Sequence, residues 1–215
     1  MTVLSAQSIR ERVDIGQKTE EAAALGKRYT SEVWGSNGSK RILPMLIEPF
    51  SEAKQACGMS YGLTGAGYDI RVGKLDRTHA DHLTRQSKSY LVKHSSTAKE
   101  TMQSWNLQPG EFMLAASLER FKLPNDIQAI VHDKSTLARQ GLALQNTVLE
   151  PGWEGYITLE LSNHGSKPIR VLVGQPIAQV VFHVLDRPTE IPYRGKYQNQ
   201  DNLPTPAKFV GEDNV

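Results

Sequence analysis

Three segments of this chain carry side chains suited to chemistry on a phosphorylated ligand. The first, Asp133–Gly141, places a cation (Lys134), two hydroxyl side chains and a second cation (Arg139) within one short turn. Hydroxyls and exposed backbone N–H groups suit phosphate oxygens, and cations add charge-assisted hydrogen bonds. The same composition also fits an ordinary solvated turn, so this segment alone leaves both interpretations open.

The second segment, Glu150–Leu161, holds a carboxylate in the middle of an apolar strand. Apolar side chains occupy every second position from Ile157 to Leu161, and Glu160 lies on the opposite face with Thr158. A carboxylate in such a place can simply face water. If that face lines a cavity instead, Glu160 becomes a candidate general base.

The third segment, Tyr193–Gln200, lies in a polar tail rich in Gly, Asn, Gln and Pro. Its aromatic rings are suited to covering a base, and Lys196 is suited to pairing with a phosphate. By composition alone the tail fits either a frayed terminus or a lid that orders over a ligand.

Several other patterns do not support the activities that they superficially suggest. Gly62–Gly67 is followed by a strand-like segment rather than a helix, which excludes a dinucleotide-binding turn. Ser51–Lys54 lacks the companion motifs of serine–lysine acyl transfer. Cys57 is the only cysteine and the six histidines are scattered, so no zinc site of the kind used by zinc deaminases is expected.

The composition indicates one ordinary globular domain without a polyanion-binding surface. Of the 215 residues, 39% are hydrophobic and 22% charged, and 25 basic residues nearly balance 23 acidic ones. Nucleic-acid binding is therefore not expected. No apolar run approaches the roughly 20 residues that span a bilayer, and the N-terminus lacks a signal-peptide core. We expect a soluble, cytoplasmic protein that does not bind membranes.

Most of the chain reads as short strands that follow a helical N-terminus. Ile9 and Val13 lie one helical turn apart, and Gly26 is a stop signal. The spacing of the strands predicts a β-sandwich, barrel or jelly roll. We expect a helical extension over 1–40, a β domain over 41–192 and a tail or lid over 193–215. The polar segment 77–105 has no assignment. The candidate strands are Tyr68–Val72, Phe112–Ser117, Ile127–Val131, Tyr156–Leu161, Ile169–Val173 and Ile177–Val184.

Five motifs, taken in order, resemble those of dCTP deaminases and trimeric dUTP pyrophosphatases. They are Ser60–Leu63 with Ala66–Arg71, Lys134–Arg139, Asn146–Gly155 with Thr158–Glu160, Gly174–Gln179, and Gly195–Gln200. The match extends from about residue 42 to 208 and leaves out 77–105. The resemblance implies a mainly β fold, a distorted β-barrel or jelly roll of the trimeric dUTPase-like type with short N-terminal helices. It also implies a homotrimer or a dimer of trimers, with active sites at subunit interfaces.

The resemblance further assigns roles to individual residues. At the position of Glu160, the deaminases have a glutamate and the pyrophosphatases an apolar residue. Glu160 would be the general acid/base, Arg139 would keep it ionised, and Ser135 would bind the water. Mg²⁺ would arrive on the triphosphate of dCTP or dUTP, with Asp69 as a contact through water, and dTTP would be an inhibitor. The implied substrate-binding residues are Lys134, Ser135, Thr136, Arg139, Asn146, Glu150, Thr158, Gln179, Tyr193, Lys196, Tyr197 and Gln200.

Two departures from the family pattern keep other activities open. Glu150 stands where many deaminases have aspartate, and the segment from Arg139 to Glu150, which borders the base pocket, is shorter than usual. We predict a dCTP deaminase that releases dUTP and ammonia without a metal at the base. The alternatives are a dUTP pyrophosphatase or a bifunctional enzyme that releases dUMP, including one acting on a modified pyrimidine, and a nucleotide-sensing trimer without catalysis.

Overall fold

A computed structural model describes residues 2–25, 42–75 and 104–209. Most of the segment 77–105 lies outside the described residues. The two described helices are α1 (Ala6–Ala24) and α2 (Ser135–Ala138). The described strands are β1 (Thr2–Val3), β2 (Leu46–Glu48), β3 (Lys54–Ala56), β4 (Met59–Thr64), β5 (Gly67–Leu75), β6 (Ser104–Leu107), β7 (Phe112–Lys122), β8 (Ile127–Asp133), β9 (Leu142–Leu144), β10 (Val148–Leu149), β11 (Glu154–Asn163), β12 (Ile169–Leu172) and β13 (Pro176–Val184).

One large curled sheet dominates the fold. Its main path runs β10-β8-β13-β5-β7-β11-β9, with β1, β2, β3 and β4 attached along it, while β6 and β12 form a separate pair. The pairings between the described strands are antiparallel. The predicted mainly β fold is confirmed, and the large sheet curls into a half-barrel around the core.

The six predicted strands are present, and β11 shows why their pattern was informative. Ile157, Leu159 and Leu161 are buried in the core, whereas Thr158 and Glu160 on the other face are only half-buried. A strand places successive side chains on opposite faces, so apolar alternation identifies the face that packs inward. Glu160 is therefore directed to the side of β11 away from the core.

The N-terminal segment packs on the same core as the sheet. Ile9 and Val13 of α1 are completely buried, and β1 pairs with the end of β13. The Arg12 guanidinium forms a buried ion pair with Asp126, at 2.9 Å between Nη2 and Oδ2. In the described part of the chain, no helix is both long and apolar enough to cross a membrane.

Candidate active site

A cavity of about 360 Å³ lies over the half-buried face of β11. Its walls come from β7, from the segment between β9 and β11, and from the C-terminal tail. This volume is within the range of small-molecule sites, about 300–1,000 Å³. The lining residues are Phe112, Leu114, Asn146, Thr147, Val148, Leu149, Glu150, Trp153, Ile157, Thr158, Glu160, Tyr193, Tyr197, Gln200, Thr205 and Ala207.

Glu160 is the carboxylate in the middle of this cavity wall. It lies opposite Leu114 in the register of β11 with β7. Burial raises the pKa of Glu160, because a poorly solvated site disfavours the charged form. No described cation lies within ion-pair distance of its carboxylate in a single chain. A half-buried carboxylate with a raised pKa is suited to taking up and returning a proton.

Asn146 lies against the backbone of β11 beside Glu160. Its Nδ2 donates to the carbonyl of Thr158 at 2.6 Å, and its Oδ1 accepts from the backbone N–H of Glu160 at 3.2 Å. The neighbouring Gln145 N–H donates to the carbonyl of Glu160 at 2.9 Å. This segment therefore holds the backbone at Glu160 through three hydrogen bonds.

The C-terminal tail lies across the cavity and is hydrogen-bonded to the start of β11. The N–H of Asn199 donates to the carbonyl of Glu154 at 2.8 Å, and the N–H of Tyr156 donates to the carbonyl of Gln200 at 3.0 Å. Gly155 makes this approach possible: its φ is 141°, and a Cβ there would lie 2.6 Å from the Gln200 nitrogen. The tail thus adds one more strand-like contact to the edge of β11.

Three further hydrogen bonds fix the tail over the floor of the cavity. The indole Nε1 of Trp153 donates to the carbonyl of Tyr197 at 2.9 Å. The hydroxyl of Thr158 accepts from the N–H of Thr205 at 3.0 Å and donates to Oε1 of Gln200 at 3.3 Å. Two aromatic rings of the tail, those of Tyr193 and Tyr197, therefore form part of the cavity lining.

Two lysines of the tail lie on one aromatic ring at the edge of the cavity. The Nζ atoms of Lys196 and Lys208 are 5.2 and 5.9 Å from the centre of the Tyr197 ring. Each ammonium group donates to the backbone carbonyl of the other lysine. Among the described residues, no carboxylate lies within ion-pair distance of either ammonium group. Two like charges so close together favour the arrival of an anion.

Part of the predicted site lies elsewhere in a single chain. Lys134 is paired with Asp69 at 2.6 Å, and Gln179 donates to Thr64 at 3.3 Å. Ser135 is exposed at the start of α2. The predicted residues that line the cavity are Asn146, Glu150, Thr158, Glu160, Tyr193, Tyr197 and Gln200. Those outside its lining are Lys134, Ser135, Thr136, Arg139, Gln179 and Lys196.

The predicted contact between Arg139 and Glu160 is not formed within one chain. Arg139 is exposed at the end of α2 and makes no ion pair with a described residue. The physical reason is that its motif ends a one-turn helix on the surface, whereas Glu160 points into a cavity covered by the tail.

Some lining residues were not identified from the sequence. Phe112 and Leu114 lie on β7 opposite Ser162 and Glu160, and the alternation of β7 would have placed both on the cavity face had the strand register been known. Thr205 in the tail gave no signal, because a polar tail has no periodicity that reveals which side faces a ligand.

The Asp69 carboxylate has the chemistry of a magnesium contact, but an ion pair already balances its charge. Its Oδ2 accepts from the Lys134 ammonium at 2.6 Å and from the Ser60 hydroxyl at 3.1 Å. In residues 2–25, 42–75 and 104–209, no group of three or more His, Cys, Asp or Glu side chains is arranged to hold a metal ion. The described residues do not form a protein cage for a metal.

Comparisons with known proteins show which family the chain is similar to. A family model described as dCTP deaminase-like matches residues 39–185. A dCTP deaminase of Acidobacterium capsulatum is 38% identical over 173 residues, covering 78% of this chain and 93% of the relative. One of Campylobacter lari is 38% identical over 167 residues, covering 75% and 89%. A solved 2'-deoxycytidine 5'-triphosphate deaminase from Agrobacterium tumefaciens has 23% identity and a TM-score of 0.45, covering 64% of this chain and 44% of that one.

Proposed function

This chain belongs to the dCTP deaminase-like family, and from that premise we propose that it hydrolyses dCTP to dUTP and ammonia. The observation that carries the proposal is the position of Glu160 in the wall of a cavity, with a pKa raised by burial. The cavity also offers the aromatic rings of Tyr193 and Tyr197 to a pyrimidine nucleotide. A cytoplasmic location accords with a deoxynucleoside triphosphate as substrate.

Glu160 supplies both proton transfers that deamination requires. The carboxylate takes a proton from water as the water oxygen bonds to C4 of cytosine, which gives a tetrahedral carbon bearing a hydroxyl and an amino group. The protonated Glu160 then gives that proton to the amino nitrogen. The C4–N bond breaks, ammonia leaves, and transfer of the hydroxyl proton to N3 gives the C4 carbonyl and the N3–H of uracil. A general acid/base of this kind contributes about 10²–10⁴-fold to the rate.

Arg139 and Ser135 complete the site from a neighbouring subunit in this proposal. Both side chains are exposed in one chain, although both have the chemistry expected of partners for Glu160 and its water. A cation beside Glu160 would favour the ionised form and oppose the effect of burial. We therefore propose a homotrimer, or a dimer of trimers, in which one chain brings α2 to the cavity of the next.

The triphosphate binds at the mouth of the cavity, beside the tail. Lys196 and Lys208 present two ammonium groups there, on the ring of Tyr197. A triphosphate would neutralise both charges through charge-assisted hydrogen bonds. Mg²⁺ would be carried on the triphosphate, where its chemistry is to neutralise phosphate charge. We further propose that dTTP competes for this site, because it presents the same triphosphate.

A bifunctional enzyme that also releases dUMP is the second candidate. Glu150 lines the same cavity as Glu160 and is exposed, so it is free to orient a second water toward a phosphate. Asp69 is less suited to that task, because Lys134 already neutralises it. Pyrophosphate release distinguishes this candidate, since deamination alone yields none.

The test is a product analysis with two matched carboxylate variants. The purified protein is incubated with dCTP and Mg²⁺, and nucleotides, ammonia and pyrophosphate are quantified. We expect dUTP and ammonia from the wild type and almost none from Glu160→Gln, whereas Glu150→Gln retains deamination. Appearance of dUMP and pyrophosphate, lost in Glu150→Gln, would establish the bifunctional enzyme. Binding of dCTP without any product would refute catalysis, and full activity in Glu160→Gln would refute the mechanism.

A further inference from the structure

The strand that carries Glu160 lacks a complete partner on one edge. On its other edge, β11 pairs with β7 along most of its length. On the edge facing the cavity, β9 pairs with β11 only from Leu161 onward, and the tail pairs with it only at Gly155 and Tyr156. The peptide groups between these two stretches therefore need another partner, because an unpaired buried peptide group is costly.

The carboxamide of Asn146 fills this gap. In an extended strand, the carbonyl of one residue and the N–H two residues later point the same way. An amide side chain offers a donor and an acceptor side by side, which matches such a pair. Asn146 uses both, with Nδ2 on the Thr158 carbonyl at 2.6 Å and Oδ1 on the Glu160 N–H at 3.2 Å.

These two bonds also fix the orientation of the amide. The Thr158 carbonyl requires a donor and the Glu160 N–H requires an acceptor, so a flipped carboxamide would satisfy neither group. Because its donor and its acceptor are both engaged with β11, the Asn146 carboxamide cannot also form a bidentate pair of hydrogen bonds with a base. The role of Asn146 is therefore different from the direct substrate contact that the family resemblance implies.

We propose that Asn146 is a positioning residue, which substitutes for a missing strand and holds the backbone of Glu160 so that its carboxylate stays directed at the reacting carbon. The proposal rests on the proposed deamination. A misplacement of a reacting group by only about 1 Å can cost roughly 100-fold in rate. Loss of the carboxamide should therefore affect turnover rather than substrate affinity.

The kinetic test compares Asn146→Ala with Gln145→Ala, the neighbouring residue, which bonds to β11 only through its backbone. We expect Asn146→Ala to lower kcat for dCTP roughly 10- to 100-fold and to leave KM within about twofold, with Gln145→Ala close to wild type. Asn146→Asp keeps the side-chain shape but loses the donor, and we expect the same pattern. A raised KM with an unchanged kcat would overturn the proposal in favour of substrate binding.

A second measurement does not depend on catalysis. Hydrogen exchange at the Glu160 amide should be faster in Asn146→Ala than in the wild type, because its acceptor is gone. The amide of Leu159, which points toward β7 by strand alternation, should remain protected and serves as the internal control for folding. An unchanged Glu160 amide would overturn the proposal. If the wild type does not deaminate dCTP, the exchange result still decides whether Asn146 holds this strand, so the two failures are distinguishable.

Discussion

Mixing two inactive variants would test whether each active site is built from two chains. Glu160→Gln removes the acid/base, and Arg139→Ala removes the cation that a neighbouring chain would supply. We expect Glu160→Gln to lose about 10²–10⁴-fold in kcat. Arg139→Ala should lose on the order of 100-fold, as is typical when a positioned charged or polar donor is removed. Neither parent then has enough activity to obscure a restored site.

The expected recovery follows from how the chains combine. In a randomly assembled 1:1 homotrimer, each site draws Glu160 from one chain and Arg139 from the next. The first chain carries an intact Glu160 in half of the cases, and the second an intact Arg139 in half, so about one site in four is complete. The mixture should therefore recover about a quarter of wild-type activity. If both residues acted within one chain, no site would be complete.

The assay is the release of dUTP from dCTP by the two chains co-expressed at a 1:1 ratio and purified through one tag common to both, so that trimers of each single variant stay in the sample. The control is co-expression of Glu160→Gln with the double variant Glu160→Gln/Arg139→Ala, which contains no complete site in either arrangement. Activity of the mixed sample at the level of this control, with a trimer verified by its mass, would refute the shared site and indicate that Arg139 and Glu160 act within the same chain.

Three further outcomes follow from the same contacts. For the residual activity of Arg139→Ala, the acid limb of the kcat/KM profile should lie at a higher pH than in the wild type. Burial raises the pKa of Glu160, and in this variant no cation opposes that rise. An acid limb at the wild-type pH would contradict the pairing of Arg139 with Glu160. Lys208→Ala should raise KM for dCTP about three- to tenfold with little change in kcat, as expected for one charge-assisted phosphate contact, and equal KM values in steady-state kinetics would argue against a phosphate role. Arg12→Ala should lower the free energy of unfolding by about 3–5 kcal/mol, because it leaves a buried carboxylate unpaired. Arg10→Ala, which breaks an exposed ion pair, should lower the free energy of unfolding far less than Arg12→Ala does; similar losses in urea denaturation would contradict the difference in burial.

The strand pattern was predictable because burial on one face of a strand imposes a period of two. Ile157, Leu159 and Leu161 are buried as their alternation indicated, and that same alternation directs Glu160 to the opposite face. Turn residues separated the strands well enough to locate them within a few positions. Which strands pair was not predictable, because the main path of the sheet joins strands that are distant in the chain, such as β5 with β13.

The sequence by itself determined the residue types available for chemistry: a carboxylate in an apolar strand, a cationic turn at Lys134–Arg139 and an aromatic, basic tail. These follow from local composition and spacing, which need no knowledge of distant contacts. Only the tertiary structure decided how they are combined. It covers Glu160 with the tail, neutralises Asp69 with Lys134, and leaves Arg139 on the surface, because these relations depend on strand register and chain crossings that bring together residues far apart in the chain. Asn146 shows the difference most clearly, since its role arises from a gap between two strand pairings that only the folded chain contains.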